Sequence, residues 1–362
     1  MENDKCGFNF CSGICGDFDP YEKSICTGCY RNYKEEGWKR KRIMREKISV
    51  VMTTYNGEKY LLEQLESLRN QTLKIDEVII MDDCSKDETP KLIRKYIEDN
   101  GLNGWKLIEN QTNQGWKKNF KFGFDLATGD YIFPCDQDDI WHLDKVQKMT
   151  ECMEKHPEIE LLVANYETFF SEKDEGHGSK LYAAKSKAMK SDGSIQMLGI
   201  DPKWPYINRP GCVFCFTKTF YESISDKWDT KYPHDAILWR FARMDHALAL
   251  LNYPVINFRR HGDNATSEAI WTKESRIQTF DVYIYFHKLA IERVTSGEDK
   301  KILLTGINVL EKRKRFLETG NILIWIELII KYHAFYNSIK GCLRDLLLLI
   351  ENNSKERVGK NG

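Results

Sequence analysis

Three carboxylates, Asp136, Asp138 and Asp139, follow the short apolar run Tyr131-Ile132-Phe133-Pro134-Cys135. Such a run fits a buried strand, and acids at its exit are costly unless they meet a cation or good solvation. Hard oxygen donors of this kind suit Mg2+ or Mn2+, usually shared with a diphosphate. The plainer alternative is an acidic turn capping the next helix. Two more apolar runs end in polar groups: ISVVMTT (48–54) leads into Tyr55 and Asn56, and EVIIM (77–81) into Asp82 and Asp83. Three strands thus deliver groups able to grip a nucleotide and a metal. Asn56-Gly57 alone reads as a turn.

The elements that must position these groups alternate. Strands at 48–54, 77–81, 105–109 and 131–135 are separated by helical stretches at 58–71, 88–99 and 115–127, with another at 142–155. Tyr60, Leu61, Leu65 and Leu68 form one helical stripe, and Trp116, Phe120 and Phe124 another. This alternation predicts an α/β fold with a mostly parallel, doubly wound sheet, which binds ligands at the carboxyl ends of its strands. Further strands are expected at 159–170, 211–217 and 253–264, a long polar loop at 171–200, a helix at 234–244, and helices from about residue 270 to 350.

The ordered segments SVVMTTYNGEKYLLEQLESLRNQT, DEVIIMDDCSKDET, NQGWKKNF and GDYIFPCDQDDIW resemble family 2 glycosyltransferases of the GT-A fold. The Asp-Gln-Asp-Asp-Ile-Trp form is similar to the branch with rhamnosyltransferases and capsule or O-antigen enzymes. The resemblance spans residues 48–265. It implies that Asp138 binds Mn2+ or Mg2+, that Asp136 lies near the ribose and diphosphate, and that Asp139 supports them. It also implies that Thr53, Tyr55 and Asp83 hold the base and ribose of a UDP- or dTDP-linked sugar. A carboxylate suits the N3 donor of a pyrimidine, and a tyrosine ring can stack on the base.

Asp235, in Pro-His-Asp, matches the family's general base for an acceptor hydroxyl; a plain helix cap is the alternative. His234 stands where the wider family carries Glu. The segment RRHGDN (259–264) resembles an Arg-x-His-x-x-Asn motif of the same branch. His261 is there a candidate metal ligand or diphosphate contact, and Arg259 or Arg260 a phosphate partner, with Arg260 preferred. A structural turn is the alternative. The activity implied is inverting transfer of a sugar to a hydroxyl of a glycan or lipid-linked saccharide. A sugar nucleotidylyltransferase shares the architecture but needs a Gly-rich, Arg/Lys-bearing loop after the first strand, and TTYNGEKY lacks it. A zinc-finger adaptor with an inactive transferase domain is the rival of another class; intact Asp83, Asp138 and Asp235 argue against it.

Residues 1–37 read as a separate module, joined by the basic linker 38–47. Cys11-x3-Cys15 and Cys26-x2-Cys29 have spacing for tetrahedral zinc, and so short a stretch needs such a staple. The pattern resembles zinc fingers of ubiquitin-editing and stress-associated proteins, which implies ubiquitin as a partner. Cys6 is spare. Cys212 and Cys215, three apart on an expected strand, face opposite sides and read as core, like Cys84, Cys135, Cys152 and Cys342.

Composition sets outer bounds. The 362 residues are 41% apolar and 12% aromatic, enough for a real core, and 54 basic residues balance 54 acidic ones. That balance argues against nucleic acid. The opening residues show no apolar leader and no run reaches membrane-spanning length, so a cytoplasmic protein with reduced cysteines is expected. Residues 322–350 are very apolar but broken by Glu327, Lys331, Lys340, Arg344 and Asp345. They are expected to be buried helices with at most weak peripheral membrane contact, and the tail 351–362 to be disordered.

Overall fold

The computed structural model describes residues 45–170, 186–261 and 272–359. Residues Glu46–Gly362 belong to one compact unit. The strands in chain order are β1 (Ile48–Thr54), β2 (Glu77–Asp82), β3 (Trp105–Glu109), β4 (Tyr131–Cys135), β5 (Ile140–Trp141), β6 (Leu161–Phe170), β7 (Ile195–Leu198), β8 (Phe214–Thr217) and β9 (Leu248–Arg260). They form a nine-stranded sheet in the order β3-β2-β1-β4-β8-β6-β9-β5, with β7 also paired to β9.

The ladder β3-β2-β1-β4 is parallel throughout, and β6 is parallel to β9. β8 runs antiparallel between β4 and β6, and β5 and β7 run antiparallel to β9. β1 to β4, β6 and β9 therefore share one direction. Every residue of β1, β2 and β4 is buried, as expected of central parallel strands covered on both faces. The crossover helices are α1 (Leu61–Arg69), α2 (Thr89–Asp99), α3 (Trp116–Leu126) and α4 (Lys145–Lys155). Pro134 lies inside β4 without breaking the sheet. Within β4 only Tyr131 and Ile132 pair with β8, so the proline sits past that antiparallel ladder and its missing N–H disrupts nothing there.

α5 (Lys218–Ile224) and α6 (His234–Met244) precede β9. The chain then turns helical: α7 (Lys273–Arg293), α8 (Gly297–Thr319), α9 (Ile322–Tyr332) and α10 (Ile339–Gly359). Buried charge ties these helices together. Arg313 Nε of α8 donates to Asp345 Oδ2 of α10 at 2.8 Å, and Arg276 Nε of α7 to Asp345 Oδ1 at 3.1 Å. The Arg313 guanidinium also lies over the Phe280 and Tyr336 rings. Tyr206 OH donates to the Phe335 carbonyl at 3.0 Å, and the Trp204 indole N–H to His287 Nε2, holding the helices to the segment before β8.

Four expectations need correction. The short strands β5 and β7 were not anticipated, and β9 begins at Leu248, because tertiary pairing recruited segments with little alternation of their own. The expected strand 211–217 starts only at Phe214; Gly211–Val213 form a 3-10 turn. The helix α10 continues to Gly359, past the end expected near residue 350. The face of α9 is not buried: Ile322, Leu323, Ile326 and Ile330 are exposed and only Leu328 is buried, because α8 offers contact to one side of the helix alone.

Candidate active site

The shared strand direction brings the ends of β1, β2 and β4 to one edge. There Thr53 and Thr54 are buried, while the Tyr55 ring is 46% exposed. Gln137 braces this turn: its Oε1 accepts from Tyr55 N at 2.8 Å, and its Nε2 donates to Tyr55 O at 3.2 Å. Asn56 adopts φ +47, and its Oδ1 accepts from Lys86 N, so it behaves as the turn residue expected. Asp82 accepts from Thr54 Oγ1 and from the Ser85 hydroxyl and amide. Asp83 accepts from Gln114 N at 2.7 Å, Gly115 N at 2.8 Å and Asn110 Nδ2 at 3.0 Å. It thereby fixes the loop before α3, where Gly115 takes φ +85, a conformation suited to glycine.

The acids beyond β4 occupy distinct surroundings. Asp139 is fully buried; its Oδ1 accepts from Arg259 N at 3.0 Å, and its Oδ2 has no partner. Burial, then the charges of Asp138 and Asp136, push its carboxyl well above the usual range. Asp136 is pushed up to about 7, chiefly by burial and then by the charge of Asp138. Asp138 Oδ2 lies 2.7 Å from His261 Nε2, uniting the end of β4 with the end of β9. One oxygen each of Asp136 and Asp139, together with Cys212 Sγ, lie within 4.8 Å of one another.

This donor set fits a divalent cation. Carboxylates and an imidazole are suitable ligands, and the crowded acids carry negative charge that the nearby side chains do not fully offset. Cys212, expected to be a plain core residue, is buried but stands beside the acids because the 3-10 turn, not a strand, presents it.

Arg259, expected as a possible phosphate partner, takes a different place here, and Lys145 escaped the sequence reading altogether. Arg259 Nε donates to the Asp138 carbonyl at 2.8 Å and its NH2 to Glu63, while the guanidinium stacks on Tyr60 and Phe169. It therefore clamps the acidic turn, whereas Arg260 lies over the Phe258 ring. Lys145 is fully buried; its Nζ donates to Cys212 O at 2.6 Å and sits 3.3 Å from the Trp141 ring centroid. Burial pushes its ammonium down to about 8. Nothing in the spacing of Trp141 and Lys145 signals this; a lysine at a helix start reads as surface.

Asp235 lies in the first turn of α6, and its charge reaches Asp136. Burial pushes it up to about 6, against the pull of the Ala236 amide, Arg240 and Lys117. His234 is buried with both ring nitrogens unpaired, its centroid 3.9 Å from that of Phe120. Burial drops it to about 3, so it is neutral. A Cβ at Gly211 would lie 2.1 Å from His234 Nε2. Gly211→Ala is therefore expected to cost about 1–3 kcal/mol, since neither the buried ring nor the turn can give way freely. Urea denaturation checks this, and an unchanged midpoint would reject the packing.

Comparisons with known proteins bear on the fold and the family. Residues 49–224 match the model of glycosyl transferase family 2. Residues 49–224 are thus similar to family 2 glycosyltransferases, and the architecture is the GT-A fold. EpsE of Bacillus subtilis (strain 168) is 36% identical over 110 residues, 30% of this chain and 39% of the relative. Glycosyltransferase GlyG of Streptococcus pneumoniae serotype 4 is 23% identical over 288 residues, 76% of this chain and 90% of the relative. Crystalline S. aureus TarS in complex with UDP-GlcNAc has a TM-score of 0.56 at 18% identity, covering 79% of this chain and 76% of that one. The chain spans 32% to 39% of the length of the first curated relatives it matches. The expected zinc ligands Cys11, Cys15, Cys26 and Cys29 lie outside the described residues. Among the described residues no helix is long and apolar enough to cross a membrane.

Proposed function

We propose that the protein is an inverting glycosyltransferase that moves a hexosyl or rhamnosyl-type sugar from a UDP- or dTDP-linked donor to a hydroxyl of a glycan or lipid-linked saccharide. The observation that carries this reading is the closeness of Asp136 and Asp139 beyond the end of β4, with the charges of Asp138 and Asp235 both acting on Asp136. The family 2 match and the UDP-GlcNAc complex of TarS support a nucleotide-sugar donor, with UDP favoured.

Thr53 and the exposed Tyr55 ring hold the base, and Asp83 holds the base or fixes the loop around it. Asp136 faces the ribose and diphosphate, Arg260 pairs with phosphate, and Asp139 with Arg259 keeps the acidic turn in place. Asp138 and His261 would hold a divalent cation, Mn2+ or Mg2+, which would supply Lewis-acid neutralisation of the leaving diphosphate. Asp235 takes the acceptor hydroxyl proton, and the oxygen attacks the anomeric carbon opposite the diphosphate, so a single displacement inverts that centre. The test is release of nucleoside diphosphate from a panel of sugar donors with Mn2+. Turnover of one donor class is expected; none across the panel would favour the adaptor reading.

For residues 1–37 we propose one structural zinc on Cys11, Cys15, Cys26 and Cys29, supported by the cysteine spacing; ubiquitin is the partner that the motif suggests. Metal analysis of protein purified without chelator is expected to find about one zinc per chain. A zinc-free protein would refute the module.

A further inference from the structure

The outer surface of α9 and of α10 up to Ile350 is built from apolar side chains and cations. On α9, Ile322, Leu323, Ile326 and Ile330 face solvent, Leu323 being 70% and Ile330 69% exposed. On α10, Leu343, Leu347 and Ile350 do the same at i, i+4 and i+7. Among the described side chains of 321–350, the exposed charged residues are Lys331, Lys340 and Arg344, with His333 beside them. The two acids in this stretch are withdrawn: Glu327 is half-buried and paired with Lys312 and Lys331, and Asp345 is buried between Arg313 and Arg276. The Trp325 indole N–H donates to the Cys342 carbonyl at 3.0 Å and joins the two helices.

We propose that α9 and α10 form a platform that seats the protein on an anionic lipid bilayer. Exposed apolar side chains on two linked helices, flanked by charge, mark an interaction site. The sign of the rim selects the occupant. A second copy seated face to face would oppose Lys331, Lys340 and Arg344 to cations of the same patch. An anionic headgroup layer takes all three, while Leu323, Ile330 and Leu347 enter the acyl boundary. Neither helix can span a bilayer, so both lie in its plane. The platform lies outside the acidic edge, and its test is independent of sugar transfer.

Co-sedimentation of the full chain with vesicles of phosphatidylcholine, alone or mixed with phosphatidylserine, tests this directly. Binding is expected to the mixed vesicles and much less to the neutral ones. Leu323→Glu combined with Ile330→Glu, both at exposed positions, should lower the bound fraction at least about tenfold by placing repelled charge at the contact. Circular dichroism should remain unchanged. Lys340→Glu with Arg344→Glu should remove the preference for phosphatidylserine. Absence of vesicle binding overturns the proposal. So does binding untouched by the Leu323/Ile330 pair, which would credit another segment such as the basic run 38–47. Concentration-dependent dimers lost in that pair, without lipid binding, would assign the face to a second copy.

Discussion

Asp138→Asn is expected to slow nucleoside diphosphate release about a hundred- to a thousandfold with Mn2+ present, a loss of about 3–4 kcal/mol of transition-state stabilisation. Asp138 reaches His261 across the gap between the ends of β4 and β9, and its side chain keeps 15% of its surface open. An amide there keeps the shape but carries no charge to hold a cation. The fold should survive, because Arg259 holds this turn through the Asp138 carbonyl and the Asp139 carboxylate, not the Asp138 side chain. A variant that turns over near the wild-type rate would remove Asp138 from the metal site.

Asp235→Asn is expected to abolish transfer by a factor of about a hundred to ten thousand while leaving donor binding intact, since only proton removal from the acceptor is lost. The same change should stabilise the fold. Asp235 is pushed from its ordinary 3.8 up to about 6 by burial. Below about pH 3 the carboxyl is protonated in both folded and unfolded chains and contributes nothing. As pH rises through the interval to about 6, the unfolded chain ionises first, and above 6 the folded protein carries the full cost. The asparagine variant should therefore be more stable by roughly 1–3 kcal/mol at neutral pH, with the difference vanishing in acid. Wild-type activity should correspondingly rise with pH through about 6 and then level, because the base works only when ionised. A rate that falls over that interval, or a variant that retains transfer, would assign the base elsewhere. Retention of anomeric configuration in the product would rule out the single displacement.

Much of this site was legible in the chain because strands and acids are coupled by chemistry. Apolar runs that end in Asp83 and Asp136 can be placed at a carboxyl edge from alternation alone, and β1 pairs parallel with both β2 and β4. What sequence could not disclose depends on contacts between distant segments. Cys212 joins the acids only because Gly211–Val213 form a 3-10 turn, and that turn needs a glycine against His234. Lys145 is buried because the Cys212 carbonyl and the Trp141 ring receive it. Arg259 and Arg260 are adjacent, and only the register of β9 decides which one clamps Asp138. The apolar residues of α9 suggested burial, but their exposure reflects how little neighbouring surface remains after α8 has been covered.

Thermal unfolding of the full chain against a panel of nucleoside diphosphates and their sugars, with and without Mn2+, tests the central claim most directly. A ligand that binds only the folded state raises the melting temperature. One nucleotide class, uridine or thymidine diphosphate, should raise it in the presence of Mn2+, and Asp138→Asn should lose that metal-dependent rise. A panel in which no nucleotide shifts the transition, or a shift that is equal without metal and in the variant, would contradict a nucleotide-sugar site at the acidic edge.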